Sequence, residues 1–317
     1  MFGAKGRNPA VLGVDVGTTA IKVAAMDFQG KTPRLCGFAI ETPAGPDQAA
    51  GAETANISAA VRKAVDAAAP NARIAATAIP AEAVITRIIR LPTGLGDAAL
   101  RARISLDIED SLKQPRNEIA YDFRVLRGAQ GDNEQPILLV ATRRDEVETR
   151  RHLLSASGLR CRLVDVDAHA LARTALADTR LRPTDDNRPT ALLDIGQRLR
   201  LMVFDRRSIL YQQDHAIDAD ATASERLRVI ERALAMHHGS PASRDPAALG
   251  LAGGGTDPQL AAALNERLGL PAYCVDPRPG VTVEGEPGES GLAARLPRLL
   301  TAIGLALHAG DPNAHWR

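Results

Sequence analysis

Several residue types are scarce in this 317-residue chain, and their scarcity excludes whole classes of protein. Only three cysteines are present, Cys36, Cys161 and Cys274, and their spacing forms neither a CxxC pair nor a cysteine–histidine cluster. A zinc knuckle or a disulfide framework is therefore not expected. Aromatic residues make up 3% of the chain and the formal net charge is +1. Neither a base-stacking platform nor a basic nucleic-acid footprint is predicted, so we expect no nucleic-acid partner.

Long hydrophobic segments are also missing. No apolar run approaches the ~18–20 residues that span a bilayer. The start of the chain, residues 1–9, lacks the apolar core of a signal peptide. We therefore expect a cytoplasmic protein that reaches a membrane only through a partner. Hydrophobic residues still make up 45% of the chain, and this length predicts two domains at ~100–200 residues each.

The clearest positive feature is a repeated strand–turn–strand unit. Asp15-Val16-Gly17 follows an apolar run, and Asp194-Ile195-Gly196 follows another, 179 residues later (194 − 15). A third turn, Gly253-Gly254-Gly255, comes between an apolar run and a predicted helix. This repetition predicts an α/β protein with two similar domains that face each other.

The three turns together suit a phosphate-binding cleft. Glycine allows backbone N–H groups to approach phosphate oxygens, because it has no Cβ. Two aspartates on opposite walls can hold Mg²⁺ through water, since Mg²⁺ keeps several of its waters. Hydroxyls and one lysine supply further donors, and the glycine triplet leaves room for an adenosine. The predicted nucleotide-binding residues are Asp15, Gly17, Thr18, Thr19, Lys22, Asp194, Gly196, Gly253, Gly254 and Gly255, with Asp15 and Asp194 as the water-mediated Mg²⁺ pair.

These motifs resemble the actin/Hsp70/sugar-kinase ATPase fold. Further segments make the chain similar to the PilM family of type IV pilus assembly proteins, and the similarity covers nearly the whole chain. The segments that carry it are 12–22, 78–80, 84–86, 122–126, 138–143, 164–171, 194–196, 251–256 and 301–307.

The resemblance implies an architecture. It implies a first actin-like domain over residues 1–182 and a second, shortened one over 183–317. It also implies an extra subdomain at about 81–160, like the 1C subdomain of the cell-division protein FtsA. The second domain is expected to be short because only 37 residues separate Tyr211 from Leu249 (249 − 211 − 1).

The resemblance also implies a partner. Members of this family bind the cytoplasmic N-terminal tail of PilN, an inner-membrane protein, in a groove between the first-domain core and the extra subdomain. In this chain the groove is expected between the strands at 84–91 and 138–143. The predicted contact residues are Thr86, Arg87, Thr142 and Arg143. Pilus motor ATPases are a second class of partner, and twitching motility is the process served.

Two departures from the family lead us to expect weakened or lost ATP binding. One is the short second domain. The other is the pair of bulky residues after the second turn, Gln197 and Arg198, where the family favours small hydroxyl residues. Arg198 can pair with a phosphate, or it can fill the cleft as a counter-ion to Asp15. No catalytic base is evident, so enzymatic activity is not expected.

Two alternative functions stay open from the sequence. One is a small-molecule kinase of the same superfold, although residues 81–160 contain no recognisable sugar site or catalytic aspartate. The other is the cytoplasmic part of a type II secretion platform protein, which would normally continue into a transmembrane segment.

Overall fold

The computed structural model describes residues 10–44, 52–112, 115–126, 133–182, 188–205, 208–218, 221–241, 243–283 and 292–312. In these residues no helix combines the length and the apolar character needed to cross a membrane. The strands are β1 (Val11–Val16), β2 (Ile21–Asp27), β3 (Arg34–Glu41), β4 (Ile74–Ile79), β5 (Val84–Pro92), β6 (Ile119–Val125), β7 (Glu134–Arg143), β8 (Arg160–Val166), β9 (Thr190–Ile195), β10 (Arg198–Phe204), β11 (Ile209–Ala216), β12 (Ala248–Ala252), β13 (Ala272–Cys274) and β14 (Thr282–Val283). The helices are α1 (Ala52–Ala68), α2 (Asp97–Leu112), α3 (Arg144–Ala156), α4 (Asp167–Ala175), α5 (Ala223–His238), α6 (Pro258–Leu268) and α7 (Leu292–Gly310).

Two of the three sheets repeat one topology. The first has the strand order β14-β3-β2-β1-β4-β8, and the second has the order β11-β10-β9-β12-β13. In both sheets, three consecutive strands form an antiparallel meander. Two further strands extend the sheet on the side of the first meander strand and run parallel to it. Parallel strands need crossover connections, which the helices provide. The duplication predicted from the two Asp-x-Gly turns is confirmed by this shared order.

The third sheet forms a separate small unit. Its order is β5-β7-β6, all antiparallel, and α2 packs on one face. The apolar side of this helix faces the core of the unit, because Leu100, Ile104 and Ile108 are all buried there. We call the part of the chain from Val84 to Arg143 the third-sheet unit. The predicted subdomain limits of about 81–160 also include α3, whose Leu154 packs in the core of the first sheet instead.

Two elements late in the chain pack with the first sheet. Strand β14 pairs with β3, and α7 packs against β1, β2, β4 and α4. The division into domains at 1–182 and 183–317 remains a prediction. Strand β14 and helix α7 fall in the predicted second domain by residue number, but both pack with the first sheet. Helix α4 in turn shares a core with the second sheet, including Leu192, Met202 and Phe204. Helices α4 and α7 therefore lie between the two sheets and join them.

Glycines allow α7 to approach its neighbours closely. A Cβ on Gly13 of β1 would collide with the carbonyl oxygen of Ala302, and one on Gly304 would collide with the carbonyl oxygen of Ala170. Both contacts involve backbone atoms, which cannot swing aside as a side chain can. The backbones of β1, α7 and α4 thus lie in direct contact.

A buried ionic cluster fixes the same helix. The Asp165 carboxylate at the end of β8 lies 2.7 Å from Nδ1 of His308 and accepts a 2.9 Å hydrogen bond from Arg173. The same guanidinium donates to the carbonyl oxygen of Gly304 at 3.0 Å. Burial by itself would raise the pKa of Asp165, but His308 and Arg173 outweigh it and hold that pKa well below its usual range.

The packing at Gly304 predicts the effect of one added methyl group. Gly304→Ala should destabilise the protein by about 1–3 kcal/mol, because the new Cβ forces α7 away from α4. Urea unfolding followed by circular dichroism measures this change. Gly239→Ala is the matched control, since its Cβ would meet only ordinary 3.7 Å contacts. Equal stability of the two variants would contradict the close packing of α7.

Candidate functional site

Each of the two predicted turns is closed by a hydrogen bond from its glycine, although the two bonds differ in span. Gly17 donates its N–H to the carbonyl oxygen of Ala20 at 3.1 Å, and Gly196 donates to that of Arg198 at 2.9 Å. Each bond closes the hairpin that its Asp-x-Gly motif begins. Both glycine amides are thus engaged within their own turns, and phosphate binding by Gly17 and Gly196 remains a prediction.

An ion pair stands where the two turns face each other. Asp15 and Lys22 are directly opposite in the β1–β2 register, and Lys22 Nζ donates to Asp15 Oδ2 at 2.9 Å. Burial opposes the charge of Lys22, but attraction to Asp15, their hydrogen bond and attraction to Asp194 outweigh it, so the pKa of Lys22 is raised. Lys22, rather than Arg198, is thus the counter-ion of Asp15, and Arg198 is exposed.

Asp194 is a carboxylate of the cleft whose ionised form is disfavoured by its surroundings. Burial raises its pKa to about 6, although Arg200 and Lys22 pull it down, and the negative charges of Asp15 and Asp167 add to the rise. The pKa of Asp167 is raised for the same first reason, with Arg200 opposing the rise. The cleft therefore contains more carboxylate than its cations neutralise.

A direct contact links the two turns. Thr18 donates its hydroxyl hydrogen to Gln197 Oε1 at 3.0 Å, and both residues are exposed. The predicted donor Thr18 is thus bonded to the bulky residue that replaces a small one in the second turn. Thr19, the other predicted hydroxyl donor, is exposed beside it.

The glycine triplet packs against the end of β9. Gly253 has a φ of +91°, which favours glycine, and a Cβ there would lie 2.6 Å from Asp194 Oδ1. A Cβ on Gly255 would lie 2.5 Å from the Ile195 side chain. These two glycines are required by the protein's own packing, whereas Gly254 faces the side chain of Arg298 on α7.

An arginine that the sequence reasoning missed organises one wall of the cleft. Arg200 on β10 donates to Asp214 at 2.8 and 3.2 Å, to Asp167 at 2.7 Å and to Glu82 at 3.1 Å. Its side chain is only 12% exposed, and burial lowers its pKa, but Asp214 and Asp167 outweigh burial and raise it. A signal was present, because Arg200 is a charged residue within a strand of buried apolar ones.

This arginine connects all three parts of the fold. Asp214 belongs to the second sheet, Asp167 begins α4, and Glu82 lies in the short turn between β4 and β5. The other oxygen of Asp167 accepts a hydrogen bond from the N–H of Ala81 at 2.9 Å. One guanidinium thus ties the cleft to the root of the third-sheet unit.

The metal prediction has limited support in the geometry. Asp15 and Asp194 do face one cleft, but the Lys22 ammonium interacts with both. Within the described ranges no three His, Cys, Asp or Glu side chains are grouped so that they could hold a metal ion. A water-mediated Mg²⁺ that accompanies a nucleotide needs fewer protein ligands, and the two aspartates suit that role.

The four predicted partner-binding residues do not form one patch. Thr86 on β5 and Thr142 on β7 lie on one face of the third sheet, because Val84 pairs with Thr142 and Thr86 pairs with Val140. By the same alternation Arg87 and Arg143 lie on the opposite face. Thr142 also donates to the Ala83 carbonyl oxygen at 2.8 Å, and Arg143 pairs with Asp145.

The groove expected between residues 84–91 and 138–143 is absent. These two segments, which lie wholly within the described residues, are hydrogen-bonded neighbours in one sheet, in register from Val84–Thr142 to Pro92–Glu134. Adjacent strands are only about 4.8 Å apart, which leaves no room for a peptide between them. A partner must therefore bind a face or a free edge of this sheet.

Comparisons with known proteins agree with this fold. A family model described as type IV pilus assembly protein PilM matches residues 13–225. A solved structure described as a PilM–PilN type IV pilus biogenesis complex is 22% identical, with a TM-score of 0.75, over 96% of this chain and 100% of that one.

Two further solved structures are more weakly similar to this chain. The ethanolamine utilization protein EutJ of Carboxydothermus hydrogenoformans is 16% identical, with a TM-score of 0.49, over 95% of this chain and 90% of its own. The cytoplasmic domain of EpsL, an inner-membrane component of the type II secretion system of Vibrio cholerae, is 15% identical, with a TM-score of 0.45. That match covers 77% of this chain and 82% of the EpsL domain.

The raised pKa of Asp194 predicts a pH dependence of stability. An aspartate has a pKa of about 3.9 when unfolded, so between about pH 4 and pH 6 the folded state binds more protons than the unfolded state. Stability due to this group is therefore present at low pH and is lost as the pH rises through about 6. Asp194→Asn removes the titration.

The matching measurement is urea unfolding of both proteins at about pH 4.5 and about pH 8. The free energy of unfolding of Asp194→Asn, relative to the original protein, should rise by about 1–3 kcal/mol between these values. Asp66→Asn on α1 is the control for loss of an exposed carboxylate. If the free energies of unfolding of Asp194→Asn and the original protein differ by the same amount at both pH values, the raised pKa of Asp194 is contradicted.

Proposed function

The chain belongs to the PilM family of type IV pilus assembly proteins, and on that premise we propose that it is a scaffold of the inner-membrane assembly platform. It works in the cytoplasm at the membrane periphery. It binds the cytoplasmic N-terminal tail of a PilN-like membrane protein, and pilus motor ATPases are its second class of partner. ATP binding with Mg²⁺ is weakened or lost, and the chain is not an enzyme.

The observation that carries this proposal is the intact third-sheet unit. It folds around its own core of buried residues from α2 and all three strands. Its root is fixed by Arg200 and Asp167 through Glu82 and Ala81. A rigid unit with a fixed root suits a docking platform, because little ordering of the protein is needed when a partner binds.

One face of the third sheet is the better tail site. Val84 and Val140, at its root, pack against the core around α4, while Thr86 on the same face is exposed. The sheet thus rises away from the body of the protein on the side that carries Thr86 and Thr142. We place the tail in this recess, and Arg87 and Arg143 on the opposite face are not part of it.

A change at Thr86 should weaken the complex. Thr86→Lys puts a long charged side chain into the recess, and we expect the affinity for a synthetic PilN-type tail peptide to fall at least about tenfold. Isothermal titration calorimetry with the full chain measures it. Thr54→Lys, at an exposed position of α1, is the matched control and should bind the peptide normally. Failure of the unaltered chain to bind the peptide would refute the scaffold proposal.

Weak nucleotide binding follows from contacts that the cleft already makes. The residues that would contact a nucleotide and its Mg²⁺ are Asp15, Thr18, Lys22 and Asp194. Their two carboxylates, hydroxyl and ammonium suit that ligand chemically. A bound nucleotide would supply its phosphates as the partner for Lys22. Its binding would first separate Lys22 from Asp15 and Thr18 from Gln197. Each lost hydrogen bond costs about 0.5–1.5 kcal/mol, and more for the charged pair.

Fluorescent ATP titration provides the test. The N-methylanthraniloyl derivative of ATP with Mg²⁺ should bind no more tightly than about 0.1 mM. Asp15→Ala is the control, since any residual signal that it leaves unchanged does not come from the cleft. Saturable, Mg²⁺-dependent binding in the micromolar range that Asp15→Ala abolishes would overturn this part of the proposal.

A further inference from the structure

Strand β5, at one edge of the third sheet, has features that favour pairing with a further strand. In the part of the chain that the structure describes, β5 pairs only with β7, so its other side is open. It runs for nine residues with no irregularity in its register. Free edges are usually short, bulged or covered, because their unpaired N–H and C=O groups accept another strand.

Two exposed apolar side chains lie on this edge strand. Among the described residues the exposed large hydrophobics are Ile85, Ile88, Leu106, Val125 and Met236, and all except Met236 lie in the third-sheet unit. Ile85 is 43% exposed and Ile88 is 54% exposed, and both are on β5. Exposed apolar groups beside an open strand edge mark a surface that another chain covers.

Two arginines complete a regular pattern. Arg87 and Arg90 are exposed, and no ion pair to either is present among the described residues. Since side chains alternate along a strand, Ile85 and Arg87 lie on one face and Ile88 and Arg90 on the other. Each face of the edge thus presents one isoleucine and one arginine two positions apart.

We propose that the free edge of β5 binds an acidic–apolar segment of a partner protein as a fourth antiparallel strand. Backbone hydrogen bonds supply the affinity and alternate side chains the specificity, as in other cases of strand addition. A strand opposite residues 90 to 85 places acidic residues against Arg90 and Arg87 and apolar ones against Ile88 and Ile85. Its pattern is acidic, any, apolar, acidic, any, apolar.

Charge also disfavours a second copy of this chain. Two β5 strands paired antiparallel around Ile88 would place the two Arg87 side chains diagonally opposite each other on one face of the sheet. An acidic partner avoids this repulsion and neutralises both guanidinium groups. This surface borders the recess proposed for the tail, because Ile88 and Arg90 lie on the same face of β5 as Thr86, but strand addition uses the outward backbone groups of β5 and not that face.

The test uses the full chain and labelled synthetic peptides. One peptide contains Glu-Thr-Val-Glu-Thr-Val, and the other has lysine in place of each glutamate. Fluorescence polarisation should show the glutamate peptide binding at least about tenfold more tightly than the lysine peptide. The double change Arg87→Glu and Arg90→Glu should reverse this preference, while Arg160→Glu, an exposed strand arginine outside the third sheet, should not.

Hydrogen exchange identifies the mode of binding. The bound glutamate peptide should slow amide exchange within residues 84–92, because strand addition bonds the outward N–H groups of β5. Unchanged circular dichroism and unfolding of the double variant show that it is folded. Binding of neither peptide, equal binding of both, or protection elsewhere would overturn the proposal. So would self-association at this edge, seen as a dimer by light scattering with protection of residues 84–92. The tail peptide, titrated on the same samples, reports separately on the scaffold function.

Discussion

The close contact of α7 with β1 and α4 is the constraint on which the rest of the structure depends. The glycines at 13 and 304 let three backbones touch, and the Asp165 cluster fixes the same part of the helix through His308 and the Gly304 carbonyl oxygen. Because α4 also packs on the second sheet, this contact sets how the two repeated sheets face each other. The positions of the two Asp-x-Gly turns, and hence the cleft between them, follow from that arrangement.

Electrostatic compensation then decides the state of the cleft. Lys22 neutralises Asp15 and Arg200 holds three carboxylates, so these groups are paired within the protein, while Asp194 keeps a raised pKa. Removing one partner of a buried pair is costly, which makes such a network rigid. The same arginine reaches Glu82, so the rigidity extends to the root of the third-sheet unit. A docking platform benefits from this rigidity more than a nucleotide-driven machine would.

Much of this could be predicted from local patterns. The apolar runs before each turn form strands, and the duplicated motif appears as expected. The Arg200 network was not predictable, because its acceptors lie 33 and 118 residues away as well as on the neighbouring strand. The expected groove failed for a related reason. Two segments separated by a long stretch of chain gave no sign that they pair directly.

The sequence by itself determined which residues form strands, helices and glycine turns, because periodicity and turn chemistry act over a few neighbouring residues. It also determined the family, since the motifs keep their order along the chain. Only the tertiary structure decided the partner of each charge, the face on which Thr86 and Arg87 lie, and the openness of the β5 edge. These depend on strand register and on packing between distant segments, where a shift of one residue reverses every side chain.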